Sequence, residues 1–90
     1  MSATTSDTTI AANELVTLDQ LKVGQTATVV SVDASGALGR RLLELGIVPG
    51  CIAKVVRHAP LGDPIEIDLR SSVLSLRRYE AALVDMSLAG

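Results

Sequence analysis

The sequence predicts a mainly β fold: a small, partly open barrel of about five short strands with one short helix between the first two. Three observations carry this. Short runs rich in Val, Ile and Leu recur between strong turn signals, Val48-Pro49-Gly50-Cys51 and Ala59-Pro60-Leu61-Gly62-Asp63-Pro64 among them. One stretch, Gly39 to Leu45, has helical spacing instead. A chain of 90 residues suffices for one domain, and closing a small sheet on itself removes adhesive edges.

Residues 1–14 are rich in Ser, Thr and Ala without periodic apolar positions, and read as a disordered tail ahead of one barrel domain over 15–90. Thr17 then caps a single helical turn whose Leu18 and Leu21 face inward. Gln25 to Val32 is the first strand, with β-branched Val29, Val30 and Val32. Asp33-Ala34-Ser35-Gly36 breaks it and can cap the helix that follows. In that helix Leu38, Leu42 and Leu45 fall at i, i+4 and i+7, the face expected to lie on the sheet. Gly46 has the place of a left-handed C-terminal cap, and Val48 to Cys51 suits a type II turn with Pro49 and Gly50 at its centre.

Cys51 to Arg57 is the second strand, apolar on both faces apart from Lys54. Ile65 to Arg70, the third, alternates: Ile65, Ile67 and Leu69 on one face, Glu66, Asp68 and Arg70 on the other. Each of those three apolar side chains contributes about 1.5–3 kcal/mol when fully buried. After a turn at Ser71-Ser72, Val73 to Leu76 is a fourth strand, Arg77 to Ala82 a helical turn, and Leu83 to Leu88 a last strand. Together these elements describe an SH3-like half-open barrel.

Composition narrows the function. The net charge of −2 gives no pull toward nucleic acid or anionic lipid. One Tyr, with no Phe or Trp, leaves no stacking surface for bases and no aromatic groove for proline-rich peptides. A single Cys rules out an internal disulfide and a cysteine-rich zinc site. No apolar run approaches the ~20 residues of a membrane span, and the N-terminus lacks a signal-peptide pattern. The expectation is a cytoplasmic protein with no membrane insertion of its own and no nucleic-acid partner.

No catalytic constellation stands out, and the chain is read as non-enzymatic. Cys51 follows a turn into an apolar strand, the setting of a structural thiol. Gly36-Ala37-Leu38-Gly39 precedes a helix but lacks the Lys-Ser/Thr end of a phosphate-binding loop. His58, Asp63 and Glu66 flank one hairpin turn and form the candidate set for weak binding of a first-row metal; a solvated hairpin tip is the simpler reading. The arginines are the strongest charge feature. Arg40 and Arg41 early in the helix, with Glu44 near its end, oppose the macrodipole preference. Stability alone would reverse those charges, although Arg–Glu pairs within the helix offset part of the cost.

Three ordered stretches then resemble one family. Arg40-Arg41-Leu42-Leu43-Glu44-Leu45-Gly46-Ile47-Val48-Pro49-Gly50, Ala59-Pro60-Leu61-Gly62-Asp63-Pro64-Ile65-Glu66-Ile67 and Leu74-Ser75-Leu76-Arg77-Arg78-Tyr79-Glu80-Ala81-Ala82 are similar to signatures of the FeoA family, the small cytoplasmic component of bacterial ferrous-iron transport. The resemblance runs from about Leu18 to Met86. It implies an SH3-like barrel, no enzymatic activity, no required cofactor, and work with the membrane transporter FeoB through its cytoplasmic GTP-binding region. A related module ends iron-dependent transcriptional repressors, which makes a domain responding to Fe²⁺ or another divalent transition metal the alternative. The surface expected to meet the transporter is Arg40, Arg41, Glu44, Ile47, Val48 and Pro49: arginines to pair with carboxylates, aliphatics at the turn to supply a desolvated contact.

Overall fold

The computed structural model describes residues 15–70 and 72–88. The elements are β1 (Leu15–Thr17), a 3-10 turn (Leu18–Gln20), β2 (Thr26–Val32), α1 (Ala37–Glu44), β3 (Ile52–His58), β4 (Ile65–Leu69), β5 (Ser72–Leu76), α2 (Arg78–Ala81) and β6 (Val84–Ser87). The strands form one antiparallel sheet in the order β1-β6-β2-β3-β4-β5. The expected mainly β architecture with a short helix between two early strands is present, with six strands where about five were expected. The tail expected over residues 1–14 lies outside the described residues.

The additional strand is β1, which pairs Val16 with Met86 and Thr17 with Asp85 on β6. Three residues are too few for a period-two pattern, and their extended form is held by a partner far along the chain. The turn after it behaves as expected: Leu18 and Leu21 are fully buried.

Alternation fixes which face of the sheet is the core. Ile65, Ile67 and Leu69 point inward from β4, Ala53 and Val55 from β3, Ala27 and Val29 from β2, and Val84 and Met86 from β6. Strand β3 is thus one-sided rather than apolar on both faces, since Ile52 is 58% exposed. Two bulges bend the sheet, between Val29 and Ser31 on β2 and between Val55 and Arg57 on β3.

One arginine ties the two ends of this sheet together. The Arg78 guanidinium donates to the Gly62 carbonyl at 3.0 Å and to the Asp19 carbonyl at 2.7 Å, and its backbone N–H donates to Asp63 Oδ1 at 3.0 Å. The turn after β1, the β3–β4 loop and the helix after β5 are thereby held at one point. Among the described residues no helix is long and apolar enough to cross a membrane.

Candidate functional site

Helix α1 lies closer to the chain before it than a side chain would permit. A Cβ built on Gly39 would stand 1.8 Å from the Asp33 carbonyl oxygen and 2.7 Å from the Ala34 Cα. Glycine is therefore required, and the contact sets the rotation of the helix. Gly39 and Leu42 are buried, whereas Leu38 and Leu45 are 42% and 39% exposed. The face expected from Leu38, Leu42 and Leu45 is corrected: only Leu42 enters the core. The N-cap is Gly36, with no side-chain cap. Asp33 instead closes its own loop, where hydrogen bonds from the Ser35 hydroxyl (2.7 Å) and N–H (3.1 Å) hold its carboxyl below the ordinary carboxylate range.

The helix ends in a Schellman motif. Gly46, at φ 101, donates its N–H to the Leu43 carbonyl, and Ile47 donates to the Leu42 carbonyl at 3.1 Å. In that motif the residue after the glycine folds back onto the last turn of the helix, and Ile47 is fully buried. Ile47 is thus a core residue, and its expected place on a partner-facing surface is corrected. The next turn follows the expected form, with Cys51 N–H donating to the Val48 carbonyl at 3.0 Å and Gly50 at φ 94. The Cys51 thiol is buried and donates to the Gly46 carbonyl at 3.2 Å, which suits a structural role.

The two helix arginines differ. Arg41 Nη1 lies 2.7 Å from Glu80 Oε2 on α2, a carboxylate whose side chain is only 7% exposed. Its other oxygen, Oε1, accepts the Arg77 N–H at 2.9 Å, so Glu80 both caps α2 and binds α1 to it. Arg40 and Glu44 are exposed, and among the described residues neither takes part in an ion pair. Val48 and Pro49 are exposed as expected.

The proposed metal set is not brought together. The bulge in β3 places Arg57 opposite Glu66 and His58 opposite Ile65. Residues directly opposite share a face, so Glu66 points outward, paired with Arg57 at 3.5 Å, while His58 shares the side of the fully buried Ile65. Asp63 accepts the Arg78 N–H. Among the described residues, no three His, Cys, Asp or Glu side chains are placed to share a metal ion.

Two adjoining grooves complete the surface beside α1. One, of about 390 Å³, is lined by Leu45, Val48, Cys51, Leu69, Arg70 and Ser72. The other, of about 360 Å³, is lined by Ile52, Lys54, Asp68 and Arg70 with Thr26 and Gly50. Arg70 belongs to both. Sequence reading passed over it because its claim depends on a turn conformation that alternation does not reveal.

Known proteins share this fold and sequence. Residues 16–87 match the FeoA domain model. The chain is 38% identical over 71 residues to an Fe(2+) transport protein A/Fe(2+) transporter FeoB fusion protein of Porphyromonas gingivalis, a stretch covering 79% of this chain and 8% of the fusion's length. The FeoA protein of Chlorobium tepidum superposes with a TM-score of 0.76 at 44% identity, over 83% of this chain and 71% of that one. FeoA of Stenotrophomonas maltophilia, complexed with zinc and described as an SH3 domain protein, gives 0.70 at 35% identity, over 79% and 88%. The family is associated with ferrous-iron transport. On the family match across most of its length, the chain belongs to the FeoA family.

Proposed function

We propose that this chain is a non-enzymatic accessory protein of ferrous-iron uptake, docking on the cytoplasmic part of a FeoB-type transporter and modulating it. The observation that carries this reading is the Porphyromonas gingivalis relative, in which a similar segment and the transporter share one polypeptide. A short covalent link raises effective concentration to roughly millimolar. Where the two are separate chains, an interface must replace the link.

The surface that suits this task is the outer side of α1 and the turn after it: Arg40, Glu44, Val48 and Pro49, with exposed Leu45 beside them. Arg40 is available to steer and pair with a carboxylate, and Val48 and Leu45 offer aliphatic contact. Arg41 is committed to Glu80, and Ile47 to the core. The divergence of His58, Asp63 and Glu66 gives the metal-responsive alternative no support.

Co-purification with the full-length transporter in detergent tests the surface. The Arg40→Glu/Val48→Asp variant changes two exposed positions, so it keeps the wild-type circular dichroism spectrum. Its capture weakens about tenfold or more, as expected when an interface loses central contacts. Undiminished capture by the folded variant would remove this face from the account.

A further inference from the structure

Arg70 closes β4 with φ 64 and is the one non-glycine among the described residues in the left-handed region. An L side chain is strained in that region, and glycine is not. The fold keeps that strain at a residue whose exposed guanidinium borders both grooves. Strain held at a surface position points to what the side chain does rather than to how the turn is made.

The charges around Arg70 are unbalanced. The ion pairs among the described residues are Arg41–Glu80 and Arg57–Glu66, so no carboxylate of the described residues is paired with Arg70. The groove shared with Ile52 holds two cations, Lys54 and Arg70, against one acid, Asp68, so its charge is positive in excess. Flanking it are the exposed aliphatic side chains of Leu45 and Val48 in one groove and Ile52 in the other.

We infer that Arg70 is the carboxylate-binding anchor of the docking surface. It receives an Asp or Glu side chain from an extended segment of the transporter, whose neighbouring aliphatic side chains enter the two grooves. The inference rests on the adaptor reading above and adds a second carboxylate contact, beside the grooves, to the one that Arg40 offers on the helix. A guanidinium fork presents two parallel N–H groups to a carboxylate, which fixes the register of the segment as well as its charge. A second copy of this chain is a poorer occupant, because the groove carries two cations, Lys54 and Arg70, against one acid, Asp68, and two such faces bring a positive excess together.

Arg70→Gly separates binding from folding. Glycine accepts the turn without strain, so the urea midpoint stays at or above that of the wild type. Capture of the full-length, detergent-solubilised transporter weakens about tenfold. Arg70→Lys, which keeps the charge and loses the fork, falls between. Equal capture by wild type and Arg70→Gly overturns the anchor and leaves the adaptor reading intact. A lowered midpoint in Arg70→Gly overturns the strain argument and the inference with it. Failure of the wild type itself to bind removes the adaptor reading and, with it, this inference. A wild-type dimer that Arg70→Gly abolishes overturns the assignment to the transporter and gives the grooves to a second copy.

Discussion

Gly39→Ala lowers the stability of the domain by about 3 kcal/mol or more, the range of a severe core substitution. The added methyl meets the Asp33 carbonyl oxygen and Ala34 Cα, both backbone atoms. That loop has little room to retreat, because the Asp33 N–H is bonded to the Leu83 carbonyl at 2.9 Å. The helix must therefore lift, which opens water to Leu42 and Ile47. Alanine's better helix propensity returns only about 1 kcal/mol. Gly36→Ala is the matched control. Its Cβ meets nothing within 4 Å, its φ of −121 suits any residue, and the change of N-cap costs less than about 1 kcal/mol. Urea denaturation followed by circular dichroism separates the two. Equal midpoints would mean that the helix does not lie against the loop as described.

Arg41→Glu is the second large effect, and its neighbour is the reference. Glu80 is buried with one oxygen on the Arg77 N–H and the other on Arg41. Reversing Arg41 strands that oxygen and sets a second carboxylate against it. Breaking a fully buried pair costs about 3–5 kcal/mol. Arg41 is itself 59% exposed, so solvent screening reduces the expected loss to about 2–3 kcal/mol. Arg40→Glu, at an exposed position without an ion pair among the described residues, changes stability by less than about 0.5 kcal/mol. Equal midpoints for the two variants would contradict the assignment of Arg41 to the fold. The same contrast decides how binding is tested: a variant at Arg41 confounds lost affinity with lost structure, and one at Arg40 does not.

Much of this fold was legible from local chemistry. The alternation of Ile65, Ile67 and Leu69, the C-terminal cap at Gly46 and the turn at Pro49-Gly50 follow from side-chain period and φ preference. The parts that escaped depend on distant partners. Strand β1 exists through β6, and the Arg41–Glu80 pair joins residues 39 apart in sequence. Arg78 spans three segments through backbone carbonyls and a carboxylate. Two misreadings had local signals. A glycine inside a helical pattern marks a close backbone approach, and Gly39 rotated the helix away from the Leu38–Leu45 face. The residue after a C-cap glycine commonly packs back on the helix, which places Ile47 inside. The metal trio failed through one inserted residue, since the β3 bulge decides which side chain stands opposite Glu66.

The proposed docking site differs in composition from the one the sequence suggested. It loses Ile47 and Arg41 to the fold, keeps Arg40, Glu44, Val48 and Pro49, and gains Leu45, Ile52 and Arg70 around two grooves. Its chemistry is cationic and aliphatic, suited to an acidic segment with apolar neighbours.

The most direct measurement is uptake of labelled ferrous iron by cells that carry the cognate transporter and lack this protein. The account predicts reduced uptake, restored by the wild type and not by an equal amount of folded Arg40→Glu/Val48→Asp. Uptake at the same rate with and without the protein would contradict it.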